Sequence, residues 1–176
     1  MPSHITLSLM RMCLSCTKKP LNSRRPVMPK FVSFQLFSQT YEIPNSKLFP
    51  NGGGDIILHE YLEALKENEI AVLNFTSVTC IPCKKEIPEL LRLSEKNPDK
   101  KLFIIFAESD PSKMAISLGL NKYYPDPLHS LQDIYKIKAY PVTFVVTRDK
   151  KVLARLDGYN EKNTKRLVAL LGKEGK

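Results

Sequence analysis

Thr79-Cys80-Ile81-Pro82-Cys83 stands where an apolar run, residues 70–75, gives way to a pattern of helical period beginning near Ile81. A buried strand would deliver the first thiol at its own carboxyl end, where the next helix opens with unpaired N–H groups and the positive end of its dipole. That environment lowers a thiol's pKa. The thiolate is the attacking species in disulfide exchange, and a second thiol one turn further on can resolve the mixed disulfide. The C-x-x-C spacing alone also suits half a zinc site or a structural disulfide, so the surrounding residues must decide.

At about 100° per residue, Cys83, Ile87, Leu90, Leu91 and Leu93 fall on one arc, with Lys85, Glu89, Arg92 and Lys96 opposite. The spacing predicts an amphipathic helix that turns Cys83 inward and leaves Cys80 exposed. Pro82 falls in the first turn, where a missing N–H costs nothing. Glu86 interrupts the pattern. It lies inside the apolar arc, about 60° from Cys83 and between Leu90 and Leu93, while the other charges of the helix cluster on the far side. Desolvation there raises a carboxyl pKa and a nearby thiolate raises it further, which suits a group exchanging a proton with Cys83. The alternative is a glutamate favoured by the helix dipole and reaching solvent past Leu93.

Outward from this core the chain alternates strand and helix signals. Residues 31–37 alternate well enough for a strand, Asn51-Gly52-Gly53-Gly54-Asp55 is a turn, and Tyr61, Leu62 and Leu65 share one face of a short helix. Residues 70–75 predict a central strand, and the cysteine helix should stop at Asn97-Pro98. The unbroken apolar run 102–107 suits a strand covered on both faces, and strand, helix, strand in this order implies a right-handed parallel crossover. Next comes a helix with Asp110 as N-cap and Pro111 at its first position, ending at Gly119. Residues 123–127 read as a loop and 129–135 as a short helix. A hairpin of strands 142–146 and 152–156 turns on Arg148-Asp149-Lys150-Lys151, and Asn163 or Thr164 caps a last helix with Leu167, Leu170 and Leu171 inward and Gly172 past its end. The fold class is α/β, a mixed central sheet flanked by helices, with an extra N-terminal strand and helix.

The 176 residues suit one domain, 31–176, behind a basic leader, 1–30. The net charge of +9 is uneven: residues 1–41 hold Arg11, Lys18, Lys19, Arg24, Arg25 and Lys30 and no acid, leaving 21 basic against 18 acidic residues elsewhere. A nearly balanced globular part argues against nucleic acid as a partner. No run reaches the length of a membrane-spanning helix. The leader's apolar stretch, 5–16, is interrupted by Arg11, and its composition fits a signal, a transit peptide or residues ahead of the true start, so any membrane association would run through it. Its Cys13-Leu14-Ser15-Cys16 invites a zinc reading with the second C-x-x-C, but the pairs lie far apart and no metal site is expected.

Val72-Leu73-Asn74-Phe75 followed by Cys80-Ile81-Pro82-Cys83-Lys84-Lys85-Glu86-Ile87-Pro88, together with Ala139-Tyr140-Pro141-Val142-Thr143-Phe144, resembles the TlpA/ResA-like thiol-disulfide oxidoreductases of the thioredoxin-fold superfamily. The resemblance covers residues 31–172. It implies a thioredoxin-like fold and a dithiol–disulfide exchange enzyme with Cys80 as nucleophile, Cys83 as resolving thiol, and Glu86 at the position of an active-site glutamate. It also implies a cis proline at Pro141 that turns the Tyr140 backbone toward an extended substrate, beside Thr79, Ile81 and Pro82. No cofactor beyond the Cys80–Cys83 disulfide is implied. Expected partners are protein thiols or disulfides and an upstream electron donor, for a monomer acting as a reductant in redox maturation. The family favours the periplasm or cell envelope, with cytoplasm and organelle left open by the leader.

The chain departs from the family at several points. Thr79 stands where Trp is usual, and Thr76-Ser77-Val78 makes the rim more polar. Asn74 stands where thioredoxins bury an Asp; it cannot accept a proton and suits a buried amide bonded to the neighbouring strand. A peroxidase of the peroxiredoxin type would want Pro and Thr ahead of its cysteine where this chain has Leu73 and Ser77. A copper-delivering relative would need one more residue between the cysteines and a later His, whereas His129 opens a short helix. A binding module with a structural C-x-x-C remains the non-enzymatic alternative.

Overall fold

A computed structural model describes residues 41–172. The leader, its Cys13 and Cys16, and the strand expected at 31–37 lie outside them. In chain order the elements are β1 (Lys47–Leu48), β2 (Ile56–Ile57), α1 (Leu58–Glu63), β3 (Ile70–Thr76), α2 (Ile81–Lys96) and β4 (Lys100–Phe106). These are followed by α3 (Ser112–Ser117), β5 (Tyr124–Pro125), α4 (Ser130–Tyr135), β6 (Val142–Thr147), β7 (Val152–Asp157) and α5 (Glu161–Leu171). Five strands make one mixed sheet, ordered β5-β4-β3-β6-β7, while β1 and β2 form a separate antiparallel pair ahead of α1. Among the described residues no helix is long and apolar enough to cross a membrane.

β3 lies at the centre of the sheet, parallel to β4 and antiparallel to β6. Its side chains alternate between two cores because successive residues of a strand face opposite sides. Ala71, Leu73 and Phe75 join Leu58, Leu62, Leu131 and Tyr135 on the side of α1 and α4. Val72 joins Ile87, Leu90, Ala115, Leu167 and Leu171 on the side of α2, α3 and α5. Both faces of the central strands are therefore buried, which is why 102–107 reads as an unbroken apolar run. The carboxyl ends of β3 and β4 and the start of β6 come to one edge, since Phe75 lies opposite both Ile105 and Val142.

The structure corrects three local expectations. Residues 124 and 125 form β5, which pairs parallel with Ile105 and Phe106 at the sheet's edge. A proline is tolerated there because an edge strand need not donate on its open side. α3 starts one residue later than expected, with Pro111 as N-cap, although the Asp110 carboxylate still accepts from the Ser112 N–H at 3.2 Å. Asn160, not Asn163 or Thr164, caps α5: its side chain accepts from the Asn163 N–H at 3.0 Å, while the Asn163 amide donates to the carbonyls of Asp157 and Gly158.

Candidate functional site

β3 ends at Thr76, and after the three residues 77–79 the chain enters α2 with Cys80 as N-cap. The Cys80 backbone is extended, and the Cys83 N–H donates to Cys80 Sγ at 3.2 Å, so the sulfur fills the position a capping oxygen takes elsewhere. Cys80 and Cys83 are joined in a disulfide, with Cα atoms 5.3 Å apart. Cys83 is fully buried against Val72, Ile87 and Leu90, as the helical period predicts. Cys80 is half-buried rather than exposed, because it packs against the same cluster. Around it Thr79, Ile81 and Pro82 face solvent, Ile81 at 71% exposure.

Glu86 lies one turn after Cys83 and is 3% exposed, so the route to solvent past Leu93 is not taken. Its environment follows from strand register. Asn74 of β3 and Thr143 of β6 are cross-strand partners on the face that α2 covers, and both are fully buried. The Asn74 amide donates to Glu86 Oε2 at 2.8 Å and to Thr143 Oγ1 at 2.8 Å, and Thr143 Oγ1 donates to Glu86 Oε1 at 3.2 Å. Burial pushes the Glu86 carboxyl up to about 7, opposed by the hydrogen bonds from Asn74 and Thr143 and helped by the charge of Glu89. Asn74 thus bonds its neighbouring strand, as expected, and also holds Glu86.

The residues before Cys80 do not form the polar rim that Thr76-Ser77-Val78 suggests. Thr76 continues β3 into the core, and Ser77 is buried. Ser77 Oγ donates to Glu108 Oε1 at 2.5 Å, and the Val78 N–H donates to the same oxygen at 3.1 Å. The Thr79 N–H donates back to Ser77 Oγ at 3.3 Å, so Glu108 organises the turn that presents Cys80. Sequence reasoning missed Glu108. Its available signal was a carboxylate directly after the apolar run of a parallel strand, at the sheet edge where α/β sites gather. Thr143 was quoted only as part of a motif, because its contact with Glu86 depends on β-sheet register.

The Tyr140–Pro141 bond is cis and leads straight into β6 at the same edge as Cys80. The Pro141 carbonyl accepts from the Gly158 N–H at 2.8 Å. Tyr140 is half-buried, and burial pushes its hydroxyl up to about 12, with Glu108 and then Asp126 adding to the shift. Asp126 is itself committed to the start of α4, accepting from Ser130 Oγ and the Leu131 N–H. Among the described residues no group of three or more His, Cys, Asp and Glu is placed to hold a metal ion.

A cysteine pair at the start of a helix that follows a central strand, with a cis proline opening the neighbouring strand, defines a thioredoxin-like dithiol–disulfide protein. No family model matches the chain. It is 30% identical over 96 residues to the thiol-disulfide oxidoreductase ResA of Bacillus thuringiensis, a match covering 51% of this chain and 56% of that protein. The chain thus spans about half the length of the curated relatives it matches. Among solved structures it is similar to a protein assigned as the thiol:disulfide interchange protein DsbE from Chlorobium tepidum, with TM-score 0.63, 20% identity, and coverage of 76% of this chain and 97% of that one. A thiol-disulfide oxidoreductase from Bacteroides fragilis gives TM-score 0.59 at 22% identity, covering 74% of this chain and 99% of that one. The fold is thioredoxin-like, and the resemblance to ResA-like thiol-disulfide oxidoreductases read from the motifs is borne out.

Proposed function

We propose that the protein exchanges its Cys80–Cys83 dithiol or disulfide with cysteines of other proteins. The observation that carries this reading is the asymmetry of the pair: Cys80 is half-buried at the mouth of α2, and Cys83 is fully buried one helical turn before the buried Glu86. In the reduced protein the Cys83 N–H and the helix end favour a thiolate at Cys80. That thiolate attacks a substrate disulfide, forming a mixed disulfide and releasing one substrate sulfur, which takes up a proton. Cys83 then passes its proton to the Glu86 carboxylate and attacks Cys80 Sγ, breaking the mixed disulfide; the second substrate sulfur leaves as a thiolate and takes up a proton. Two electrons have moved to the substrate and the Cys80–Cys83 disulfide remains. The main chain at Tyr140 and Pro141, with Thr79, Ile81 and Pro82 on the opposite side, would border the bound segment.

The likeness to a thiol-disulfide oxidoreductase supports the exchange chemistry, and we propose as its finer form a monomeric reductant in redox maturation, recharged by an upstream thiol donor. With the reduced protein at neutral pH, iodoacetamide should label Cys80 far faster than Cys83. Cys83→Ser should trap a mixed disulfide with substrate. Faster labelling of Cys83, or failure to trap an adduct, would reverse the assignment.

A further inference from the structure

Beside Pro141 the surface is hollowed into an open groove of about 660 Å³ bordered by Lys136, Lys138, Tyr140, Arg155, Asp157 and Gly158. A side chain built at Gly158 would meet nothing within 4 Å, so the groove is clear above this residue. Residues 138–140 lie outside every helix and strand, and among the described residues none of their backbone groups takes part in a backbone hydrogen bond. Such a segment is free to pair with an extended chain.

The side chains that border this groove, Lys136, Lys138, Arg155 and Asp157, carry more positive than negative charge. Asp157 is taken up by Arg155, whose Nε lies 3.0 Å from one carboxylate oxygen, and the Arg155 guanidinium also donates to the carbonyls of Tyr135 and Lys136. Lys136 and Lys138 are exposed, and among the described residues neither is in an ion pair. Directly after Cys83, α2 carries exposed Lys84 and Lys85. Glu108 and Asp126, whose charges act on Tyr140, do not border the groove and are held by hydrogen bonds from Ser77, Val78, Ser130 and Leu131.

We propose that this groove seats an extended segment of the substrate protein that carries acidic side chains within a few residues of its reactive cysteine. The proposal rests on the exchange reading above and adds the charge of the partner. Alternate side chains of a docked strand project to the same side, which would bring acidic groups toward Lys136 and Lys138 while the cysteine lies at Cys80.

The test uses the reduced full chain and three disulfide-linked peptides of one length, the cysteine flanked by Asp, Asn or Lys, alongside neutral hydroxyethyl disulfide. At low salt the Asp peptide should react about tenfold faster than the Asn peptide, with the Lys peptide slowest and the differences collapsing in high salt. Lys136→Glu with Lys138→Glu should reverse the order of the Asp and Lys peptides. Lys66→Glu with Lys96→Glu, ahead of β3 and at the far end of α2, should leave it unchanged. Equal rates for the Asp and Asn peptides while hydroxyethyl disulfide is still reduced would overturn the groove alone. A reversal in the Lys66 and Lys96 variant would overturn it too, by assigning the preference to net charge. Failure to reduce hydroxyethyl disulfide would overturn the exchange reading. Binding of the Asp peptide with serine in place of its cysteine reads the groove apart from that chemistry, and absence of binding would overturn the groove.

Discussion

Glu86 concentrates the residue-scale physics of this protein. A carboxyl held up to about 7 by burial binds a proton in the folded chain over a range where the unfolded chain has lost it, since the ordinary value is 4.5. Between those values folding takes up a proton, so the stability this group contributes is complete below the unfolded value and is lost as pH rises toward about 7. The span corresponds to about 3 kcal/mol at most. For the oxidised protein, urea unfolding should therefore show stability falling from about pH 5 to 8, with most of that fall absent in Glu86→Gln. A wild-type slope retained in the variant would place the titrating group elsewhere. The same substitution should slow exchange and change its pH profile with the fold intact, because Gln keeps the volume and the hydrogen bonding but cannot carry a proton. Identical profiles from about pH 5 to 9 would remove Glu86 from the exchange chemistry.

Pairs of elements, rather than single ones, build this environment. Asn74 and Thr143 reach Glu86 together only because β3 and β6 pair in the register that sets them opposite each other. Thr143→Val keeps the shape but removes a donor to the charged carboxylate and an acceptor for the Asn74 amide. It should cost about 1–3 kcal/mol and move the pH dependence assigned to Glu86 further upward, as read by the same unfolding series. An unmoved midpoint would mean that the hydroxyl does not act on the carboxyl. At α5 the cap identity is testable in the same way. Asn160→Ala should destabilise the protein by about 1 kcal/mol in urea, and no change would leave the helix start to the Asn163 bonds. The sequence misplaced this cap because Asn160 and Asn163 are equally good capping residues three positions apart.

At the scale of the whole molecule, two cores on opposite faces of one sheet hold the site edge rigid from both sides. Leu58, Leu62 and Phe75 pack below while Ile87, Leu90 and Leu167 pack above, all within the described residues. A chain beginning near Met28 should therefore unfold in one cooperative transition and keep its thiol reactivity. A broad transition or loss of Cys80 labelling would give the earlier residues a structural part. The fold was legible at this scale because the apolar run of β3 and the helical arc of α2 are local patterns. The edge strand β5 was not, since two residues around a proline carry no period and owe their pairing to β4.

The thioredoxin-like architecture was what the resemblance of the motifs implied, while the sequence by itself determined the α/β order of strands and helices, the placing of Cys80 at a helix start, the burial of Cys83 and the anomalous position of Glu86. Each follows from spacing along one chain segment, where strand and helix periods dictate which way a side chain points. Only the tertiary structure decided that Asn74 and Thr143 clasp Glu86, that Glu108 anchors the turn before Cys80, and that Lys136 and Lys138 border a groove beside Pro141. Those contacts join residues far apart in the chain, and their geometry is set by strand register and by the packing of α2 on the sheet, which no local pattern encodes.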